Sequence, residues 1–394
     1  MNESVETGPD QPGFGLYVHW PFCLAKCPYC DFNSHVRHEP VDQARFVKAF
    51  ATSLEHQARF APKHPLTSIF FGGGTPSLMS AQTVEDLLDM IHRIFVVSPK
   101  AEISMEANPT SVEASRLADY RRAGVNRLSI GVQALNDIDL KALGRRHSVE
   151  EAIAAIKLAQ RSFERTSFDL IYARPAQSGA QWRAELLHAI DLAAEHLSLY
   201  QLTIEPGTIF EQRVRAGQLQ PLGDEEARQL FDITQEICAA KGLPAYEISN
   251  HARPGAESIH NLTYWRYGEY AGVGPGAHAR LVINGHRTAL VQERHPETWL
   301  HTIEQSGDAT VETEILTPKQ QADEMVLMGL RLREGILPDR YLDVAGCTLD
   351  AEKIEWLVQD DLLEWCGPHG SNQRRLRATA KAMPVLNAVI ESLL

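Results

Sequence analysis

The sequence predicts an α/β fold: a partial (β/α)6 barrel of the TIM type, followed by a small C-terminal helical domain of winged-helix-like character. Three observations carry this. Six short β-rich runs alternate with longer amphipathic stretches between Gly15 and Ile204. Polar and special residues collect just after those runs, the arrangement of a barrel's functional rim. No G-x-G-x-x-G follows the first run, which argues against an open dinucleotide-binding sheet.

The six runs are 16–18, 68–71, 103–105, 128–130, 168–171 and 197–204. After them come Cys23, the 72–75 loop, Glu106, Gln133 and Asp169 in turn. Helix boundaries are marked by local chemistry. Thr110 with Glu113, and Ser148 with Glu151, have capping-box spacing. Gly124 stands where a C′ glycine ends the helix predicted over 111–123. A helix over 224–240 and a strand over 245–248 follow. Residues 1–14 read as a flexible tail and 15–290 as the barrel with its extension. The mixed-charge stretch 291–316, with Pro296 and a Ser-Gly-Asp turn, reads as a linker. The C-terminal domain is then 317–394. It opens on a helix from Thr317-Pro318 to Glu334, closed by Gly335. A hairpin over 362–378 and a last helix over 385–394 complete it.

Apolar residues make up 44% and charged residues 23%, a composition that excludes disorder, collagen and coiled coil as the main architecture. No window of ~18 apolar residues is free of charge, so no membrane span is expected. The formal net charge of −13 argues against general affinity for nucleic acid or anionic lipid. Winged-helix domains often bind DNA, but 310–394 holds nine basic and fourteen acidic residues, with one basic cluster at Arg374, Arg375 and Arg377. A packing or docking domain is the favoured reading. The first residues lack a basic segment followed by an apolar one, so a cytoplasmic protein with reduced thiols is expected.

Three of the six cysteines fall within eight residues: Cys23, Cys27 and Cys30, spaced C-x3-C-x2-C after the first strand. Soft thiolates suit zinc or an iron–sulfur cluster. Zinc needs a fourth ligand, which His35 or His38 could supply. A [4Fe–4S] cluster held by three thiolates keeps one iron open to a small chelating molecule. The run Phe71-Gly-Gly-Gly-Thr-Pro-Ser77 is either a tight strand-to-helix turn or a close backbone approach to a ligand.

The C-x3-C-x2-C motif, with Tyr29 beside its last cysteine, resembles the radical SAM superfamily. The resemblance implies a [4Fe–4S] cluster on Cys23, Cys27 and Cys30, with S-adenosylmethionine (SAM) chelating the open iron. It implies that Gly73, Gly74 and Thr75 hold the methionyl end of SAM. Glu106, Gln133, Arg145 and Asp169 fall on SAM-contacting positions, with Tyr17 ahead of the first cysteine. Read singly, each is an ordinary polar residue.

The runs Cys27–His35, Gly131-Val-Gln133 and 200–208 look like the group around oxygen-independent coproporphyrinogen III oxidase, over nearly the whole chain. That group has two branches. True oxidases carry a further cysteine two residues past the last cluster ligand, and an N-terminal extension. Here the position is Phe32, and about a dozen residues precede the first strand. The HemW-type heme chaperones have phenylalanine there and a His-Asn-x-x-Tyr-Trp motif, matched by His260-Asn-Leu-Thr-Tyr264-Trp265. The chain departs from the usual Gly-Leu at Ala173-Arg174.

The resemblance therefore implies binding of heme and its delivery to acceptor apoproteins, with an electron donor serving the cluster. The alternative is oxidative decarboxylation of coproporphyrinogen III, and no catalytic residue is assigned. His260 is a candidate heme ligand and Tyr264 and Trp265 candidate flat faces, though the three also suit a hydrogen-bonded core cluster. The glycine-rich stretch 271–278, ending in His278, reads equally as ligand approach or chain reversal.

Overall fold

A computed structural model describes residues 12–110, 115–367 and 374–394. Eleven strands form one sheet. Six run parallel in sequence order: β1 (Phe14–Trp20), β2 (Leu66–Gly73), β3 (Val97–Ala107), β4 (Arg127–Gln133), β5 (Arg165–Tyr172) and β6 (His196–Gln201). Beyond β6 lies the antiparallel β7 (Asn250–Ala252). On the other side β8 (Glu269–Val273) pairs parallel to β1. An antiparallel wing continues from it: β9 (His278–Ile283), β10 (His286–Gln292) and β11 (Thr310–Ile315). The end strands β7 and β11 are not neighbours, so the barrel stays open.

Alternation along the parallel strands sorts their side chains into two faces. Leu16, Val18, Ile69, Phe71, Ile103, Met105, Leu128, Ile130, Phe168 and Leu197 are all buried in the main core beneath the outer helices. The other face carries Tyr17, His19, Ser68, Glu102, Ser104, Glu106, Arg127, Ser129, Arg165, Ser167, Asp169 and His196. A barrel interior this polar must find partners for each group.

At the N-terminal ends of the strands the protein supplies most of those partners itself, leaving Ser104 Oγ, His196 Nδ1 and His260 Nε2 without one among the described residues. Glu102, 2% exposed, accepts from Arg165 Nη1 at 2.7 Å and lies 3.7 Å from Arg127 Nε. Its other oxygen accepts from the Ser258 hydroxyl and the His260 backbone N–H, both at 3.2 Å. The helix Ile259–Trp265 is thereby pinned beneath the barrel.

Capping follows the expected chemistry where it can be followed. Ser148 and Glu151 form their capping box, and Gly124 adopts the left-handed conformation after Leu117–Ala123. Glu113 lies outside the described residues. Three expectations are corrected. The strand expected at 245–248 is a bend with a single bridge at Ala245, and the pairing residues are Asn250–Ala252. The sixth strand ends at Gln201 rather than Ile204. Residues 291–316 are not an irregular linker: Pro296–Ser306 is helical, and β11 extends the main sheet. Their charged residues mark an edge strand facing solvent, which alternation alone does not separate from a loop.

The C-terminal helix starts at Pro318 behind a Thr317–Gln320 capping box and ends at Gly329, before the expected Glu334. With helices Pro338–Ala345, Ala351–Gln359 and Leu386–Leu393 and the hairpin Leu363–Cys366/Arg375–Ala378, it encloses a second core around Val326, Leu357 and Leu376. The Gly367-Pro-His-Gly370 turn that the sequence places within the 362–378 hairpin lies partly outside the described residues. The basic cluster is spent internally. Arg375 pairs with Glu334, Arg377 with Glu364, and Arg374 lies 4.4 Å above the Trp365 ring. Arg266 also pairs with Glu334, and Arg280 with Glu324, tying this domain to the barrel.

Replacing Glu102 by Leu leaves Arg127 buried without its carboxylate. We expect a loss of ~3–5 kcal/mol in urea denaturation. A loss below ~1 kcal/mol would mean the ion network is not what closes the barrel floor.

Candidate functional site

At the C-terminal ends of the strands the inward face opens into a cavity of about 400 Å³. Its wall includes Cys23, Cys27, Tyr29 and Cys30 from the loop after β1, with Gly73, Gly74 and Thr75 after β2. Glu106, Gln133, Arg145 and Asp169 complete it. Every residue expected around the cluster and SAM is therefore gathered here, except Tyr17. Tyr17 faces an adjoining cavity and bonds to His19 Nδ1 at 3.0 Å.

The thiols have polar neighbours. The Thr75 hydroxyl donates to Cys23 Sγ at 3.4 Å, and Arg145 Nη1 donates to Cys27 Sγ at 3.5 Å. Burial pushes the Cys23 and Cys30 thiols up from their ordinary range. Arg145 Nη2 is held by Asn108 Oδ1 at 2.6 Å and the Gly131 carbonyl at 2.7 Å. Asn108, which also reaches Thr75 at 3.3 Å, is a site residue that motif reading missed. Its one sequence signal is its place two residues past Glu106 at a strand end.

Gly73 has φ +116°, and a Cβ there would meet the His19 ring at 2.7 Å. Its glycine is required by backbone conformation and by the His19 ring, whatever ligand the cavity takes. The Gly73 N–H donates to Glu106 at 3.2 Å. At Gly74 a Cβ would strike the backbone of Pro21 and Phe22. Gln133 adopts φ +77°, an uncommon conformation for this residue, at the turn that brings it to the cavity. Ala173 occupies φ +57°, where a glycine would be unstrained. The loop is braced by buried Arg174, which bonds the Ile171 carbonyl at 2.6 Å and Asp139 at 2.8 Å.

Two carboxyls face one another across this interior. Burial, with Asp169 nearby, pushes Glu106 up to about 8. Burial raises Asp169 to about 6, against hydrogen bonds from Ser198 and Ser129. Such a pair favours a cationic ligand that pays the desolvation of both carboxylates.

The His260–Trp265 segment does not form one binding face. His260 is fully buried, with Nδ1 2.9 Å from the Ser68 hydroxyl and its ring stacked on Phe70 at 4.9 Å. It lines neither cavity, so the expectation of an accessible iron ligand is corrected to a core role. Only Tyr264 reaches the adjoining cavity. Trp265 lies in the crevice against the C-terminal domain, beside Met325 and Ile336.

The radical SAM superfamily profile matches residues 17–186. The heme chaperone HemW of Escherichia coli K12 is 42% identical over 295 residues, covering 73% of this chain and 76% of that protein. HemW of Mycobacterium tuberculosis H37Rv is 35% identical, covering 98% and 96%. This chain belongs to the HemW family of radical SAM proteins. "Radical S-adenosyl methionine domain-containing protein 1, mitochondrial" of Danio rerio is similarly related, 39% identical over 96% of this chain and 86% of its own. The solved structure of Escherichia coli coproporphyrinogen III oxidase, HemN, superposes with a TM-score of 0.79 over 97% of this chain and 90% of its own. At 21% identity, that likeness is one of fold.

Membership implies a [4Fe–4S] cluster and SAM, and the donor set of this HemW-family cavity fits both. Three thiols on one loop share a wall with a guanidinium, two carboxyls and exposed backbone. Among the described residues no three His, Cys, Asp or Glu side chains converge on a single ion, as structural zinc requires. A cluster places each thiolate on a different iron. The chemistry such a cluster supplies is one-electron reduction. The chain's part is to orient the ligands, exclude water and set the charge of Glu106 and Asp169.

The raised carboxyls give a pH dependence with a defined sign. Each becomes anionic only as pH climbs through about 6 for Asp169 and about 8 for Glu106. Affinity for cationic SAM should rise over that window, up to ~tenfold per pH unit for each proton released. The apoprotein should lose stability as pH rises from about 4 to about 8, the interval between the unfolded range of these carboxyls and their raised folded values. Isothermal titration from pH 5.5 to 8.5 checks this. Glu106→Gln should flatten the upper part, and an unchanged profile would contradict the assignment.

Proposed function

We propose that this protein is a heme chaperone, which binds heme and passes it to acceptor apoproteins. The observation that carries the reading is Phe32. It stands at the junction of the two cavities, where the oxidase branch that the sequence resembles has a further cysteine. The full-length relatives named heme chaperones support it. So does the second cavity of about 650 Å³, rimmed by Tyr17, Tyr264 and Tyr270. That size falls within the ~300–1,000 Å³ of small-molecule sites, and aromatic walls suit a large, mostly apolar ring.

In this reading Cys23, Cys27 and Cys30 hold the cluster. Gly73, Gly74, Thr75, Glu106, Gln133, Arg145 and Asp169 embrace SAM, with Tyr29 packed beside the cluster loop. An external electron donor reduces the cluster. The six unpaired cysteines suit a reducing compartment, and we place the protein in the cytoplasm. No helix among the described residues is long and apolar enough to cross a membrane.

The test runs two assays on one anaerobic, cluster-reconstituted preparation. Hemin titration should saturate at one heme per chain. Incubation with reductant, SAM and coproporphyrinogen III should yield no protoporphyrinogen above the background without protein. Substantial turnover would replace this reading with the oxidase.

A further inference from the structure

We propose that heme seats in the second cavity with His278 as its iron ligand and Arg294 paired with a propionate, an assignment that rests on the heme-chaperone reading. Two histidines line this cavity, His19 and His278. His19 is committed: Nδ1 meets the Tyr17 hydroxyl at 3.0 Å and Nε2 meets the Asn33 carbonyl at 2.9 Å. His278 is exposed, and among the described residues its ring has no hydrogen-bond partner. His260 lies behind this wall, fully buried on Phe70.

The backbone places His278 deliberately. Gly274 and Gly276 have φ +106° and +76°, and a Cβ on Gly276 would lie 2.4 Å from Asn33 Nδ2. That amide donates to the carbonyls of Pro275 and Arg294, each at 2.9 Å. One asparagine thus fixes both the turn that delivers His278 and the backbone of Arg294. The glycine-rich turn, undecided from sequence, serves to set this rim. Sheet register then aligns His278 with Val291, and Val291 with Glu312, across β9, β10 and β11.

The ligand chemistry is matched. Partial burial, and then Arg280, lower His278 from its ordinary range, so its ring is neutral and has a lone pair for iron at pH 7. Arg294 is exposed, and among the described residues its guanidinium makes no ion pair, leaving it for a bidentate carboxylate contact. Phe32, 58% exposed, offers a flat apolar face, and Met328 closes the cavity from the C-terminal domain.

Hemin titrations followed by absorption and electron paramagnetic resonance test this on the whole chain. The variants are His278→Ala, His278→Met, Arg294→Gln and, as an exposed control outside the cavity, His301→Ala. His278→Ala should weaken hemin binding at least tenfold and lose the wild-type Soret position. His278→Met should keep a bound heme with a shifted spectrum. Arg294→Gln should weaken binding a few-fold with the spectrum unchanged, and His301→Ala should match wild type. Wild-type affinity and spectrum in His278→Ala would overturn the site while leaving the chaperone reading intact. A wild type that binds no hemin would overturn that reading itself.

Discussion

The inward face of the parallel strands is polar, and satisfying it is the constraint on which the rest of the molecule depends. In most parallel barrels both strand faces are apolar and fill themselves. Here Glu102, Glu106, Arg127, Arg165, Asp169 and His196 project into the interior. A buried charge without a partner costs several kcal/mol, so each level of the barrel needs its own solution.

The two ends solve it differently. At the floor, Glu102, Arg127 and Arg165 neutralise one another, and helix Ile259–Trp265 contributes Ser258 and the His260 backbone. At the mouth, burial holds Glu106 at about 8 and Asp169 at about 6, although Arg127 and Arg145 favour the Asp169 anion. An ion-paired floor supports a mouth whose carboxyls burial has raised. His260 belongs to the floor, although its motif marks the family. The wing β9–β11 and Met328 build a second chamber beside the mouth, sharing Phe32, Gly73 and Glu106 with the first.

Much of this was legible in the sequence. Strand alternation and strand-end residues gave the barrel, and the cysteine spacing with the glycine run located the mouth. The failures share one cause. Sequence places a residue on a strand or helix but not at a depth inside a closed structure. His260, Tyr264 and Trp265 lie on one short helix, yet point to the floor, the second chamber and the domain crevice. The glycine run suits a tight turn or a ligand approach alike, and nothing local reveals that the missing side chain at Gly73 makes room for His19, 54 residues earlier in the chain. The segment 291–316 looked like a linker because an edge strand needs charge on its open side. His278 was visible only as the end of a glycine-rich turn, since nothing local reveals that Asn33 holds that turn in place.

The polar mouth is a site for a cluster and SAM rather than a metal knot or an inert loop. The electron paramagnetic resonance spectrum of the reduced, anaerobically reconstituted protein, recorded with and without SAM, tests it most directly. The expected result is a [4Fe–4S]+ signal that changes shape when SAM is added and vanishes in Cys27→Ala. A signal indifferent to SAM, or zinc in place of iron at full occupancy, would contradict it.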